Sequence, residues 1–203
     1  NTILMDPVFV TKHRTKKKDI LVQDIEYNLY LISNKGVVLW KNKLNGAVLG
    51  KVEQVDLYRN GRLQLAFATP NRLYVIDRNG KNVERFPLEF KDEITQPLAV
   101  FDYDKQRNYR FLITQTEALL MYDSKGESVK GFKYKSNNSI RSQPKHFRVR
   151  GKDYIVFNTS NRLLILDRRG SIRVKVKEAI DFSGAAIYLY NSLFTTTNTK
   201  GDL

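Results

Sequence analysis

The fold is decided by Arg72-Leu-Tyr-Val-Ile-Asp-Arg-Asn-Gly80, because three other stretches of the 203-residue chain repeat its pattern. The glycines that end these four segments lie 44, 46 and 44 residues apart. Periods of about 40–50 residues are typical of solenoids and propellers. The three matching segments are Asn28-Leu-Tyr-Leu-Ile-Ser-Asn-Lys-Gly36, Ala118-Leu-Leu-Met-Tyr-Asp-Ser-Lys-Gly126 and Arg162-Leu-Leu-Ile-Leu-Asp-Arg-Arg-Gly170.

Each repeat contains four short runs rich in β-branched and aromatic residues, which predict strands and which we name A to D in chain order. Strand C lies in the quoted segments. The predicted A strands are Val8–Val10, Val52–Leu57, Leu98–Phe101 and Lys145–Val149. The predicted B strands are Ile20–Val22, Leu63–Ala68, Phe111–Ile113 and Tyr154–Phe157. The predicted D strands are Val37–Trp40, Lys81–Phe86, Ser128–Tyr134 and Ser171–Val176.

Four strands in a unit of this length are the pattern of a β-propeller blade. The sequence therefore predicts an all-β fold, a β-propeller segment of four complete four-stranded antiparallel blades plus the start of a fifth. We place the blades at about residues 6–50, 51–95, 96–142 and 143–184, with a partial fifth blade at 185–203. Leu203 aligns with the start of strand C, so we expect the chain to be a piece of a longer propeller.

The Asp-x-x-Gly ending of the repeat predicts a tight hairpin between strands C and D. An aspartate there accepts hydrogen bonds from backbone N–H groups of the turn, and glycine supplies the positive φ that closes it. Ser33 takes the place of the aspartate in the first unit. Because Asp77, Asp123 and Asp167 recur in successive units, we interpret them as turn residues and not as catalytic ones.

The stretch from Asn28 to Trp40 resembles the repeat of PQQ-like β-propellers, in which Leu-Tyr-Ala-Leu-Asp is followed by Gly and then Trp. The other units carry Glu84, Lys130 and Val174 at the tryptophan position. With these departures from the motif, the blades resemble the non-enzymatic branch of the family. This resemblance implies a location in a bacterial periplasm or at the outer membrane. The resemblance also implies that Trp40 is mostly buried between neighbouring blades.

The composition argues against a catalytic, cofactor or metal site. The chain has no Cys and two His, which excludes thiolate nucleophiles and histidine-rich metal sites, and it has no phosphate-binding glycine loop. Among the predicted A–B loops, only the one with Asp102 and Asp104 carries a carboxylate pair, short of the six to eight oxygens that Ca²⁺ takes. We therefore expect no enzyme activity, no cofactor and no metal, with a fragment of a quinoprotein dehydrogenase as a remote alternative.

The formal net charge is +14, and it is unevenly distributed along the predicted loops. Formal charges sum to +11 over the A–B loops and C–D turns, which antiparallel strands place at one end of the blades, and to −3 over the other loops. The sequence therefore predicts a basic binding face. Its leading residues are Lys12, Arg14, Lys16, Lys17, Lys18, Arg168 and Arg169.

Propellers present flat faces on which proteins dock, so the favoured function is a non-enzymatic scaffold that mediates protein–protein interaction in a bacterial cell envelope. The expected partners are proteins with an acidic surface, or an anionic membrane surface. Nucleic acid and a small-molecule substrate are not expected. The alternative is a binding module for an anionic ligand, such as a lipid headgroup, an acidic polysaccharide or nucleic acid, which a steep salt dependence would favour.

Overall fold

The computed structural model describes residues 2–12 and 15–203, and the regular secondary structure of these residues consists of strands. The first blade contains β1 (Val8–Thr11), β2 (Lys18–Gln23), β3 (Asn28–Ile32) and β4 (Val38–Lys43). The second contains β5 (Glu53–Val55), β6 (Gln64–Thr69), β7 (Arg72–Ile76) and β8 (Leu88–Glu89). The third contains β9 (Ala99–Phe101), β10 (Arg110–Thr114), β11 (Ala118–Asp123) and β12 (Tyr134–Lys135).

The fourth blade contains β13 (Lys145–Val149), β14 (Lys152–Asn158), β15 (Leu163–Leu166) and β16 (Ile172–Lys175). A two-stranded hairpin follows, formed by β17 (Tyr188–Tyr190) and β18 (Leu193–Thr195). Every four-stranded sheet pairs its strands in chain order and antiparallel. The predicted all-β fold of four four-stranded blades with the start of a fifth is confirmed. The described part of the chain holds no helix long and apolar enough to cross a membrane.

The D strands of the second and third blades differ from the prediction. Strand β8 covers Leu88–Glu89 instead of Lys81–Phe86, and β12 covers Tyr134–Lys135 instead of Ser128–Tyr134. The reason is a turn that precedes each strand: the Phe86 N–H donates to the Val83 carbonyl at 2.9 Å, and Phe132 repeats this bond to Val129 at 3.2 Å. Both D strands therefore join their sheets late.

All four predicted C–D hairpins are present. In the fourth, the Gly170 N–H donates to the Asp167 carbonyl at 3.1 Å, while Asp167 Oδ1 accepts the N–H groups of Arg169 and Ser171 at 2.8 and 3.0 Å. Asp77 and Asp123 make the same pair of side-chain bonds in their turns. These carboxylates therefore act as turn residues, as the recurrence of the motif predicts.

Consecutive blades stack through apolar side chains that alternate along the strands. Leu31 of the first blade packs in one cluster with Phe67 of the second, and Val75 of the second packs with Phe111 of the third. Phe157 of the fourth blade is fully buried against the third. Each core layer thus joins two successive blades. The stack is open at the first blade, where Phe9 on the outer face is 66% exposed.

Trp40 lies between the first two blades and is mostly buried, as expected, with a minor part of its surface exposed to solvent. Its indole N–H donates to the Arg78 carbonyl in the next blade at 2.7 Å, and its ring lies over Gly80. Phe86, at 6% exposure, takes the corresponding place against Gly126, whereas Glu84 at the motif offset is exposed. The aromatic position of the repeat has therefore moved by two residues in the second blade.

Candidate docking surface

The A–B loops and C–D turns of successive blades meet at one end of the stack. Contacts across the blade junctions show this directly: Arg107 pairs with Asp56 at 2.9 Å, and Arg168 pairs with Asp104 at 2.9 Å. We call this region the basic end. Its described residues are 11–12, 15–19, 33–36, 56–62, 77–81, 102–110, 123–126, 148–153 and 167–170.

The acidic and the basic residues of the basic end differ in how deeply they are buried. Fourteen of its described Lys and Arg residues are exposed, whereas Asp104 is the one exposed acidic residue among those described. Asp19, Asp56 and Asp153 are 0%, 4% and 6% exposed. The acidic charges therefore point inward or into turns, and the charge that meets the solvent is largely positive.

Asp19 anchors the junction between the first and second blades. It begins the apolar part of β2 and is completely buried, so its carboxylate needs charged partners. Lys12 Nζ lies 3.0 Å from Oδ1, and Arg78 of the second blade donates to Oδ2. Lys12 is therefore engaged with Asp19, and less of its charge is available to a partner than the sequence alone suggests.

Asp153 anchors the junction between the third and fourth blades. Its Oδ2 accepts from Arg168 Nε at 2.6 Å, and its Oδ1 lies 2.8 Å from His146 Nε2. Arg168 also donates to Asp104 at 2.9 Å, and its guanidinium lies 4.4 Å from the ring centroid of Tyr103. Arg168 is thus a structural residue of the junction, held by two carboxylates and one aromatic face.

Burial and hydrogen bonding act in opposite directions on this cluster. Burial disfavours the charged form of Asp153, but the hydrogen bonds from His146 and Arg168 outweigh it and lower the pKa of the carboxyl group. Burial also opposes the charge of Arg168, yet its bonds to Asp104 and Asp153 raise its pKa. Burial raises the pKa of Tyr103 well above its ordinary range. The cluster therefore holds a charged pair beside a neutral phenol.

The A–B loops of the second and third blades share one geometry that involves backbone donors. Asp56 accepts the N–H groups of Asn60 and Gly61 at 3.0 and 2.9 Å, and Asp102 accepts those of Gln106 and Arg107 at 3.1 and 2.8 Å. The described ranges 2–12 and 15–203 contain no group of three or more His, Asp or Glu suited to a metal ion.

The predicted basic residues fall into two groups. Lys16 and Lys17 are exposed in the A–B loop of the first blade and Lys18 is exposed at the start of β2, whereas Arg168 and Arg169 lie in the C–D turn of the fourth blade. No hydrogen bond or ion pair between described residues joins the two groups. Arg14 lies outside the described residues. The predicted site is thus a spread of cations around one end of the propeller.

Several residues of the basic end were not predicted from the sequence. They are the buried carboxylates Asp19 and Asp153, with Tyr103 and Arg148 around the second of them. His146 of β13, just outside the basic end, also contacts Asp153 and was not predicted. One signal was available: an aspartate directly follows a lysine at the start of an apolar strand B in both Lys18-Asp19 and Lys152-Asp153. A charged residue at such a place is rarely buried without a partner.

No protein-family model matches the sequence, and no curated protein matches it. Among solved structures, the chain is similar to BBS1N in complex with ARL6DN, at 13% identity over 77% of this chain and 48% of that chain, with a TM-score of 0.55. It is similar to the WD40 domain of Neurospora crassa Pan2, at 17% identity over 89% of this chain and 51% of that chain, with a TM-score of 0.54. BamB from Moraxella catarrhalis matches at 12% identity over 95% and 66% of the two chains, with a TM-score of 0.48.

The chain spans about half the length of the first two of these structures. At such identities the likeness establishes the fold, a β-propeller.

Proposed function

We propose that this propeller is a non-enzymatic scaffold of the PQQ-like type, which uses its basic end to dock an acidic surface of a protein partner in a bacterial cell envelope. The family type and the location rest on the repeat that ends in Trp40. The docking role rests on one observation: apart from the exposed Asp104, which pairs with Arg168, the carboxylates of the basic end are buried or engaged in turns, whereas fourteen cations are exposed.

Clustered exposed charge raises the rate of association with an oppositely charged surface and makes it dependent on salt.

The His146–Asp153 pair is consistent with a structural role, because His146 packs edge-on against Tyr103 with ring centroids 4.8 Å apart. Its side chain is 16% exposed and its Nε2 is directed to the carboxylate. We therefore assign this pair to blade packing and not to catalysis.

The proposal is tested with a fluorescent hexaglutamate peptide as the acidic probe and the whole 203-residue chain. We expect the triple variant Lys16→Glu, Lys17→Glu, Arg169→Glu to weaken binding by about tenfold or more at low ionic strength. The difference should shrink as added salt screens the charges. All three residues are exposed, so far-ultraviolet circular dichroism and the melting temperature should stay unchanged.

The matched control reverses three exposed cations at the opposite end, Lys91 and Arg141 in D–A loops and Lys135 at the end of β12, as Lys91→Glu, Lys135→Glu and Arg141→Glu. This variant has the same net charge as the first and should bind the peptide within about threefold of the unmodified chain. Equal losses in the two variants would overturn the proposal, because binding would then follow net charge alone. Tighter binding to phosphatidylglycerol vesicles than to the peptide would assign the basic end to a membrane surface instead.

A further inference from the structure

An open cleft of about 420 Å³ lies at the basic end, where the fourth blade meets the third. It is lined by five cationic residues, Arg148, Lys152, Arg168, Arg169 and Arg173, and by three aspartates. Binding sites for small ligands and short peptide segments have volumes of roughly 300–1,000 Å³. The cleft therefore has room for several side chains and is larger than one inorganic anion needs.

The three aspartates of the cleft are already engaged. Asp153 and Asp104 share the guanidinium of Arg168, at 2.6 and 2.9 Å. Asp167 accepts two backbone N–H groups of its own turn. Arg148 Nη1 also lies 3.6 Å from Asp104 Oδ1 and from Asp153 Oδ1. The acidic groups are thus occupied by Arg168, Arg148 and backbone N–H groups, and do not pair with the remaining cations of the cleft.

Lys152, Arg169 and Arg173 have no acidic partner within 4.0 Å among the described residues, in contrast to Arg168. Two guanidinium groups at the cleft are also held in place. Arg148 Nη1 donates to the Tyr103 carbonyl at 3.0 Å, and Arg173 lies 5.3 Å from the ring centroid of Tyr154. Side chains that are already ordered lose less conformational entropy when a ligand binds.

Guanidinium groups are suited to carboxylates, because their parallel N–H donors match the two carboxylate oxygens. We propose that this cleft is the principal contact for the acidic partner and that it receives a peptide segment with at least two neighbouring carboxylates. The inference rests on the proposed docking function and specifies where on the basic end the acidic groups bind. Lys16 and Lys17, in the first blade, then contribute only to the overall electrostatic field of the basic end and do not contact the peptide.

Two double variants with the same charge change separate the cleft from the rest of the basic end. The cleft variant is Arg169→Glu with Arg173→Glu, and the comparison variant is Lys16→Glu with Lys17→Glu. We expect the cleft variant to weaken binding of fluorescent hexaglutamate by about tenfold or more, and the comparison variant by less than about threefold. Hexaglutamine serves as the uncharged peptide and should not bind.

The single variant Lys125→Glu is a second control, because Lys125 occupies in the third blade the turn position that Arg169 occupies in the fourth. It should bind like the unmodified chain, whereas Arg169→Glu alone should lose affinity. Equal losses of affinity for the cleft and comparison variants would overturn the assignment of the cleft as the principal contact and leave the docking role of the basic end intact. No loss in either would contradict both. Tighter binding of a sulfated oligosaccharide than of hexaglutamate, sensitive to the same cleft residues, would show that the cleft takes a polysaccharide and would overturn the peptide assignment.

Discussion

Replacing Gly170 with alanine is expected to lower the free energy of unfolding by about 2–4 kcal/mol, the sum of backbone strain and overpacking. Gly170 is buried and has a φ of +84°, a region that alanine enters only with strain. A Cβ atom added there would lie 2.7 Å from the carbonyl oxygen of Lys133 in the third blade. Relieving this clash requires the two blades to move apart.

Gly36 provides the matched control, because it occupies the same turn position in the first blade. Its φ is +79°, but an added Cβ would meet no atom within 4 Å. Gly36→Ala should therefore cost only the backbone strain, about 1–2 kcal/mol. Urea unfolding of both variants measures the difference. Equal losses at the two positions would mean that the C–D turn of the fourth blade does not contact the third as described.

Replacing Trp40 with alanine is expected to lower the free energy of unfolding by about 2–3 kcal/mol, less than for a fully buried aromatic because part of the side chain is exposed. The change removes ring contacts with Gly80 and the 2.7 Å hydrogen bond to the Arg78 carbonyl. Trp40→Phe retains much of the packing and should cost about 1 kcal/mol, the net worth of the lost hydrogen bond.

Leu39 is the control for Trp40, since it is the adjacent residue on β4 and is 47% exposed. Leu39→Ala should change the free energy of unfolding by no more than about 0.5 kcal/mol. Thermal and urea unfolding of the three variants test the ranking. A loss for Leu39→Ala as large as that for Trp40→Ala would contradict the assignment of Trp40 to the junction between blades.

The repeat made most of the fold predictable. A glycine that ends each C–D turn and an apolar strand C before it recur at nearly constant spacing, so blade number and strand order follow from local pattern alone. Strand β13 begins and ends where the sequence placed it, at Lys145 and Val149. The D strands of the second and third blades were misplaced because Val83–Phe86 and Val129–Phe132 each read as part of a continuous strand but form a turn.

The candidate site was less predictable, because its decisive contacts join residues far apart in the chain. Arg168 looks like any surface cation of a turn, yet it is held by Asp104, 64 residues earlier, and by Asp153. Lys12 is likewise engaged with Asp19. The sum of loop charges counts every carboxylate equally and does not show which carboxylates are buried. Which carboxylates are buried depends on how the blades stack.

The stacking of the blades also accounts for the exposed positive charge. At the first two junctions a buried carboxylate accepts a cation from the next blade, as Asp19 accepts Arg78 and Asp56 accepts Arg107, and at the third the exposed Asp104 accepts Arg168. The remaining cations have no such partner to reach and extend into the solvent. We infer that the stacking of the blades has two effects: it pairs carboxylates with cations of the adjacent blade, and it leaves the other cations exposed to a partner.

The most direct measurement of the docking function is hydrogen–deuterium exchange of the whole chain at low ionic strength, with and without hexaglutamate. We expect the peptide to slow exchange at residues 148–153 and 167–173, and less strongly at residues 15–18. Residues 88–96 and 134–142, at the opposite end, should exchange at the same rate in both samples. Protection confined to the opposite end, or distributed evenly over both ends, would contradict the assignment of docking to the basic end.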